Sequence, residues 1–394
     1  MTGDLSDKEL LGRLVEFPTV SRDPNAPLAD WIADYLDRPG IRLLRQEGPE
    51  PGKVNLLAVA GPGDGMDPDR GLTLNGHLDV VPAEPEGWSS DPFALEEREG
   101  KLYARGAADM KGFCALAVNR LARAASRDLA HPLGLLLTFD EEVGCLGARH
   151  FAREWPDHDF LPRNVVVGEP TELRVVRMHK GHLQLRVEIQ GISAHTGSPH
   201  LGVNAVQAAA PVLEALNGLR MEWRQAERKH SEHFGQVPWA VLAVAGIRGG
   251  EAANIVPPLC EVEVGVRLLP GMTSGEAEEE VRRKLPGEVE THGEAGPARV
   301  TVAPVPDHDS PPFFTPEDAP LNRILCDLME QTGTLGMPYG SDAGWLSTAG
   351  YRCVLWGPGT IEVAHKPDEY MAVRDLEEGG ELLDRLIHRV CDGP

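Results

Sequence analysis

Clustered cysteines are missing from this sequence. Its six cysteines are scattered along 394 residues, and no CxxC pair occurs. In a long chain without a visible secretory signal, such cysteines are typical of reduced, mostly buried thiols rather than of a disulfide framework or a zinc knuckle. The first residues, MTGDLSDKEL, have no basic flank leading into an apolar segment, so we expect a cytoplasmic protein.

Positive charge and long apolar runs are also scarce. Lysine and arginine number 38 against 61 acidic residues, which gives a formal net charge of −23. This balance disfavours nucleic acid and anionic membranes as partners, because both are negatively charged. No apolar run approaches the roughly 18 residues that a membrane span needs. The hydrophobic content of 41% still suits a globular protein with a large core.

Two segment patterns predict two domains. Short apolar strands without alternation, such as LGLLLTF and NVVV, lie between helical stretches and predict an α/β domain whose sheet is covered on both faces. From about Lys180 the strands alternate, as in HLQLRVEIQ, and the order βαββαβ predicts a ferredoxin-like unit. We therefore expect one domain from residues 1–179 and 306–394, with a smaller domain, 180–305, inserted into it.

Polar side chains of the kind that bind metals or move protons follow several of the apolar strands. They occur in LNGHLDVVP (His77, Asp79), YARGAADMKG (Asp109), TFDEEVG (Glu141, Glu142), VVVGEPTE (Glu169) and EVAHKPDEY (His365). An unpaired buried carboxylate costs several kcal/mol of lost hydration. Since α/β folds gather their sites at the carboxyl ends of strands, these residues together predict a functional site.

The chemistry of these donors indicates metal ions. Imidazole and carboxylate ligands suit zinc, cobalt or manganese, whereas thiolate sites would need clustered cysteines. Two imidazoles and three carboxylates exceed the three protein ligands of a single catalytic zinc, and they fit two metals about 3.5–4 Å apart that share a carboxylate. Asp79 lies two residues after His77 on the same side of an extended chain, so its carboxylate is expected to accept the second ring N–H of His77.

These segments resemble the di-zinc amidohydrolases and peptidases, a family that includes acetylornithine deacetylase, succinyl-diaminopimelate desuccinylase, aminoacylases and glutamate carboxypeptidase. GHLDVVP, RGAADMKGF, DEEVGCLGARHF, GEPTEL and GPGTIEVAHKPDEYM carry the resemblance, which covers nearly the whole chain in the same order. It is closest to the acetylornithine deacetylases. The resemblance implies a zinc-peptidase-like catalytic domain, with a mixed sheet between helices, and an inserted ferredoxin-like lid and dimerisation domain.

The resemblance also assigns the metal ligands. His77 and Glu169 would hold one metal, Glu142 and His365 the other, and Asp109 would bridge both. In the family the peptide bond after the bridging aspartate is cis, which implies a cis bond between Asp109 and Met110. The expected cofactors are two divalent ions, zinc in the first place, with cobalt or manganese as alternatives.

Glu141 is the expected general base. Neighbouring residues of an extended strand point to opposite sides, so Glu142 could face a metal while Glu141 faces a water held between the metals. Glu141 would take a proton from that water and pass it to the leaving amine. The alternative is that Glu141 and Glu142 both lie exposed to solvent in a turn between a strand and a helix. Asp140 has no evident role.

The inserted domain supplies further residues by resemblance. His195, in GISAHTGSPH, would reach the active site of a partner subunit and donate a hydrogen bond to the oxyanion, which requires a homodimer joined through the lid domains. Asn254, Arg267, Lys180 and Ser341 occupy positions that bind substrate in relatives, and arginine suits a bidentate grip on a carboxylate.

The implied reaction is removal of the acetyl group from N2-acetyl-L-ornithine, which gives L-ornithine and acetate for arginine synthesis. Acetylcitrulline deacetylase, succinyl-diaminopimelate desuccinylase, and dipeptidase or carboxypeptidase activities, including a single-metal carboxypeptidase, remain alternatives. A non-catalytic binding protein on the same fold is the alternative from another class, and loss of the base or of a ligand would signal it.

Overall fold

Two compact units make up the structure, a computed structural model that describes residues 4–62, 67–84, 86–291 and 295–392. The first unit comprises Met1–Met178, Phe313–Leu335 and Ser341–Pro394, and the second comprises His179–Pro312 and Gly336–Gly340. The sequence predicted domains of 1–179 with 306–394 and of 180–305, whereas the second unit extends to Pro312 and includes Gly336–Gly340.

The helices are numbered here in chain order. They are α1 (Asp7–Val15), α2 (Ala26–Leu36), α3 (Gly112–Ala124), α4 (Leu146–Glu154), α5 (Ala205–Gln225), α6 (Ser274–Lys284), α7 (Pro320–Leu328), α8 (Ala343–Thr348) and α9 (Val373–Cys391). Within the part of the chain that the structure describes, no helix combines the length and the apolar character that crossing a bilayer requires.

The strands are numbered in the same way. They are β1 (Ile41–Glu47), β2 (Val54–Ala60), β3 (Leu72–His77), β4 (Glu96–Arg98), β5 (Lys101–Tyr103), β6 (Leu133–Thr138), β7 (Asn164–Val167), β8 (Val176–His179), β9 (Gly181–Gln190), β10 (Ala194–His195), β11 (Val241–Gly249), β12 (Ile255–Val256), β13 (Leu259–Leu268), β14 (Glu288–Val289), β15 (Ala298–Ser310), β16 (Phe313–Phe314), β17 (Leu335–Met337), β18 (Arg352–Leu355) and β19 (Tyr370–Ala372).

A mixed sheet forms the centre of the first unit, which confirms the predicted fold class. Its strand order is β1-β2-β6-β3-β7-β18-β8-β16, and β17 pairs with β8. Every residue of β2, β3 and β6 is buried, which explains their unbroken apolar pattern. The helix α3 is buried along nearly its whole length and packs with α1 and α9 in the core.

Three parallel neighbours in this sheet position the site. β3 pairs in parallel with both β6 and β7. The carboxyl ends of these three strands therefore meet at one edge of the sheet. His77 is the last residue of β3, Glu141 and Glu142 follow β6, and Glu169 follows β7, so residues far apart in the chain converge there.

The second unit has the predicted ferredoxin-like arrangement. Its antiparallel sheet has the order β11-β13-β9-β15-β14, and α5 and α6 are the helices between its strands. The strand β9 alternates between buried and less buried residues, as its sequence predicted. The buried side chains of β9 and β13, among them Leu185, Val187, Val262 and Val264, form much of the core of this unit.

Candidate active site

Asp109 lies between two histidines in the first unit. Its Oδ1 is 3.2 Å from Nε2 of His77, and its Oδ2 is 3.2 Å from Nε2 of His365. Nε2 of His365 also lies 3.0 Å from a carboxylate oxygen of Glu142. His77, Asp109 and Glu142 offer ligand atoms that all lie within 4.8 Å of one another. The structure thus brings together four of the five predicted metal ligands in direct contact.

The fifth, Glu169, is 4% exposed, and its Oε1 has no hydrogen-bond partner. Its negative charge raises the pKa of Glu141, which places it beside the cluster. A buried carboxylate oxygen without a partner is costly, and such atoms are rare in folded proteins. Glu169 therefore points to a missing positively charged group.

The contact of Asp79 with His77 differs from the prediction. Nδ1 of His77 donates to the backbone oxygen of Asp79 at 2.9 Å, whereas the carboxylate of Asp79 is 3.6 Å away. That carboxylate instead accepts from Oγ of Ser21 and from the backbone N–H groups of Glu141 and Glu142. The carbonyl still fixes the proton on Nδ1 and leaves Nε2 directed at Asp109. The carboxylate holds the loop that carries the two glutamates.

That loop is a turn, so the predicted extended geometry of Glu141 and Glu142 was wrong. β6 ends at Thr138, Asp140 has a φ of +51°, and the N–H of Cys145 donates to the oxygen of Glu141. The turn nevertheless separates the two carboxylates. Glu142 contacts His365, while Oε2 of Glu141 lies 4.0 Å from Nε2 of His77.

Asp140 has a structural role that the sequence did not reveal. Its Oδ1 lies 2.7 Å from Nζ of Lys53, and both side chains are almost fully buried. The same oxygen accepts the N–H of Arg22. Removing one partner of a buried ion pair leaves the other charge uncompensated, so this pair anchors the turn before Glu141.

A buried glutamate holds the loop that carries Asp109. Glu369 accepts hydrogen bonds from Nη1 of Arg105 at 2.6 Å and from the backbone N–H groups of Gly106, Ala108 and Asp109. The peptide bond between Asp109 and Met110 is cis, as the family resemblance implied. Glu369 belongs to the PDEY segment shortly after His365, but the sequence alone does not show which groups it binds.

The carboxylates of the cluster are held in an environment that disfavours their charges. Burial raises the pKa of Glu141 well above its usual value, and the charge of Glu169 adds to this. Burial and the neighbouring Asp109 raise the pKa of Glu142 to about 7, and the same two causes raise that of Glu169. No lysine or arginine of the described residues contacts Glu141, Glu142 or Glu169.

The pKa values of the two histidines and of Asp109 shift in favour of their charged forms, unlike those of the glutamates. The charged histidines and the charged aspartate stabilise one another. Burial opposes protonation of His77, but its hydrogen bond to Asp109 and the nearby carboxylates raise its pKa well above the usual range. Hydrogen bonds to Asp109 and Glu142 raise the pKa of His365 to about 10. The same hydrogen bonds outweigh burial and lower the pKa of Asp109.

This donor set fits divalent metal ions. Two imidazoles and three carboxylates converge in one buried cluster, and imidazole with carboxylate is the chemistry that zinc, cobalt and manganese accept. The unpartnered oxygen of Glu169 and the raised pKa values of three glutamates are both relieved by cations at this position.

A comparison with family models decides the classification. The model for peptidase family M20/M25/M40 matches residues 73–389, which include every residue of the cluster. The chain belongs to peptidase family M20/M25/M40. It is therefore a hydrolase, which confirms the reaction class that the sequence predicted.

Solved structures share the fold of this M20 protein along nearly its whole length. Aminopeptidase PepT from Bacillus cereus has 17% sequence identity and a TM-score of 0.72, with 98% of this chain and 100% of that chain covered. The metallo-carboxypeptidase Sso-CP2 from Sulfolobus solfataricus has 16% identity and a TM-score of 0.73, with 97% and 98% covered. The Bacillus subtilis YXEP protein, a dinuclear metal binding peptidase of the M20 family, has 15% identity and a TM-score of 0.68, with 98% and 97% covered.

In the second unit of this M20 protein, His195 and Asn254 are neighbours. The strands β10 and β12 pair, so His195 lies opposite Ile255, and the N–H of Thr196 donates to the oxygen of Asn254. Both side chains are exposed. Nδ1 of His195 accepts the N–H of Gly197, which leaves the ring proton on Nε2. The exposed Nε2–H is thus available to donate a hydrogen bond.

Arg267 lies next to His182 in the same unit. It pairs with His182 across β13 and β9, and burial lowers its pKa. Burial, Arg267 and His308 lower the pKa of His182 to about 4. Among the residues that the structure describes, no acid contacts Arg267. A half-buried guanidinium without an anion is costly, so this position favours a ligand with a negative charge.

The other two predicted substrate residues are already engaged. Lys180 is buried, and its ammonium donates to the backbone oxygens of Val237 and Trp239 at 2.7 Å each. Ser341 is fully buried in the first unit, and its Oγ accepts the N–H of Ala343 at the start of α8. Their contact with substrate stays a prediction, and the structure gives each a stabilising role within its own unit.

Proposed function

We propose that this M20 hydrolase removes the acetyl group from N2-acetyl-L-ornithine and that it uses two divalent metal ions. His77, Glu169 and Asp109 would hold one ion, and Glu142, His365 and Asp109 the other. The observation that supports this most is the position of Asp109, whose two oxygens contact two different imidazoles. The Bacillus subtilis YXEP protein, which shares this fold, is a dinuclear metal binding peptidase and agrees with it. Zinc is the proposed metal, with cobalt and manganese as alternatives.

Bound metals would supply activation of water and stabilisation of negative charge on the amide oxygen. Glu141 would take the proton of the attacking water at its carboxylate and return it to the leaving nitrogen. Its Oε1 accepts the thiol proton of Cys145 at 3.3 Å, which orients the carboxylate and leaves Oε2 on the side of His77. Burial raises the pKa of Glu141 well above its usual value, which strengthens this carboxylate as a proton acceptor.

Two residues of the second unit support the proposed substrate class. Arg267 lacks an acidic partner among the described residues, so a carboxylate on the substrate would satisfy it with a bidentate contact. His195 would donate its Nε2–H to the amide oxygen as negative charge develops there. An N-acyl amino acid carries both the amide and the free carboxylate. The acidic chain, with a net charge of −23, also attracts the free ammonium of acetylornithine.

A substrate panel tests this proposal. We expect kcat/KM to be higher for N2-acetyl-L-ornithine than for N-acetylcitrulline, N-succinyl-diaminopimelate or dipeptides. We expect Arg267→Gln to raise KM with little change in kcat, because the carboxylate grip acts equally on the bound substrate and the transition state. A higher kcat/KM for dipeptides would overturn the deacetylase assignment and leave a dipeptidase. If the metal-loaded protein hydrolyses no member of the panel, the result would favour a binding protein on this fold.

We infer that the protein is a homodimer joined through its second unit. Most of the exposed large apolar side chains of the described residues lie there: Ile192, Leu201, Val206, Met221, Val244, Ile247, Ile255 and Leu259. Among the residues that the structure describes, β11 pairs only with β13, so its other edge is open for pairing. An open edge with apolar side chains favours association with another strand. A dimer formed here would agree with the proposed action of His195 in a partner subunit.

Charge at the β11 edge should break this dimer. We expect Val244→Glu with Ile247→Glu to give a monomer in multi-angle light scattering and to lose most activity, since His195 would have no partner site. Leu44→Glu, which changes an exposed leucine of β1 in the first unit, serves as the matched control and should stay dimeric. A wild-type protein that is monomeric and fully active would refute the proposal.

A further inference from the structure

A second group of donor atoms lies next to the metal cluster and uses none of its five proposed ligands. Glu141, Cys145 and Asp342 offer a carboxylate oxygen, a sulfur and a second carboxylate oxygen that all lie within 4.8 Å of one another. Cys145 precedes α4, and Asp342 precedes α8. The two helices pack together through Ala148 and Trp345, so the fold holds the three donors in place.

Asp342 is the least satisfied member of this group. It is 1% exposed, and its Oδ2 accepts from Oγ1 of Thr138 at 2.6 Å and from Nδ2 of Asn75 at 3.3 Å. Its Oδ1 has no hydrogen-bond partner. Burying a carboxylate oxygen without a partner is unfavourable. No lysine or arginine of the described residues contacts Asp342, so the missing partner has to come from elsewhere.

The sulfur of Cys145 gives this group a different metal preference from that of the main cluster. Cys145 is 3% exposed, and its Sγ donates to Oε1 of Glu141 at 3.3 Å. Thiolate ligands favour zinc and softer ions over magnesium and calcium, and carboxylates complete many zinc sites. The side chain of Glu141 is 12% exposed, so an ion could enter past it. One thiol proton would be released on binding.

We propose that a further thiophilic divalent cation, zinc or cadmium, binds to Glu141, Cys145 and Asp342 and inhibits the enzyme. The ion would occupy the carboxylate of Glu141 that acts as the general base, so hydrolysis would stop while both metals of the main cluster stay bound. The inhibition rests on the proposed function of Glu141. The binding rests only on the three donors and the unpartnered oxygen of Asp342.

Cadmium titration tests the binding without reference to activity. Protein loaded with two equivalents of zinc is titrated with cadmium, and the ultraviolet absorption of a cadmium–thiolate bond is recorded. We expect about one equivalent of cadmium to produce the band in the wild type and in Cys326→Ser, which removes the partly exposed cysteine. We expect no band in Cys145→Ser. A band that persists in Cys145→Ser, or none in the wild type, would overturn the proposal.

Excess zinc tests the inhibition. Activity on the best substrate of the panel should fall in the wild type as zinc exceeds two equivalents. Loss of a ligand should raise the inhibiting concentration at least tenfold in Cys145→Ser, when its activity is normalised to that of the same variant at two equivalents of zinc. If Cys145→Ser does not fold, Asp342→Asn takes its place, with weaker cadmium binding expected. Equal inhibition of variant and wild type would overturn the proposal. A protein without measurable activity would refute the proposed function, and the cadmium titration would still decide the binding.

Discussion

Replacing Glu141 with glutamine is expected to lower kcat by about 10²- to 10⁴-fold, the usual contribution of general acid–base catalysis. Glutamine keeps the size of the side chain and can still accept the hydrogen bond from Cys145, but it cannot take up the proton of the attacking water. The ligand set assigned to the metals does not include Glu141. Bound metal should therefore stay near two equivalents.

Steady-state kinetics and metal analysis on the same preparation check this expectation. Glu154→Gln, which makes the same chemical change at the exposed end of α4, should match the wild type in both measurements. A Glu141→Gln protein that retains activity would refute the role of base. A variant that loses a metal equivalent would show instead that Glu141 is a ligand.

Removal of the metals is expected to destabilise the protein, and more strongly as the pH rises. In the metal-free protein the pKa values of Glu141, Glu142 and Glu169 are raised above the ordinary 4.5. The folded state then holds protons that the unfolded chain releases above that pH, so the free energy of unfolding falls as pH increases. His365 adds to this fall between its ordinary value of 6.5 and about 10. Metals replace these protons and remove the dependence.

Thermal unfolding with and without zinc, from about pH 5 to pH 9, measures this effect. Zinc at about 1,000 times its dissociation constant contributes about 4 kcal/mol, which corresponds to roughly 5 °C for a chain of this size. Asp109→Asn should lose most of the zinc-dependent shift, whereas Asp318→Asn, at an exposed position, should keep it. A metal-free protein that becomes more stable between pH 6 and pH 9 would contradict the assigned pKa shifts.

The convergence of the cluster was predictable from the sequence because it depends on strand order. His77, Glu142 and Glu169 each end or follow an apolar strand, and parallel strands bring such ends to one edge. The strand pattern also indicated Asp109 and His365, and the family resemblance assigned their roles as the bridging ligand and as a ligand of the second metal. The ferredoxin-like unit was predictable for a similar reason, since the alternation of β9 and the order βαββαβ are local signals.

The details that the sequence missed depend on contacts between distant segments. Glu141 and Glu142 lie on a turn because the carboxylate of Asp79, some 60 residues earlier, accepts both of their N–H groups. The ion pair of Asp140 with Lys53 and the approach of Asp342 to Cys145 arise in the same way. Propensity and periodicity carry no information about such pairs, which form only when the sheet is assembled.

The central claim is that five side chains of the first unit hold two metal ions. Anomalous diffraction at the zinc edge, from crystals of protein supplied with zinc, tests it most directly. We predict two strong peaks about 3.5–4 Å apart, one next to His77 and Glu169, the other next to Glu142 and His365, with Asp109 between them. A single peak, or none among these side chains, would contradict the account.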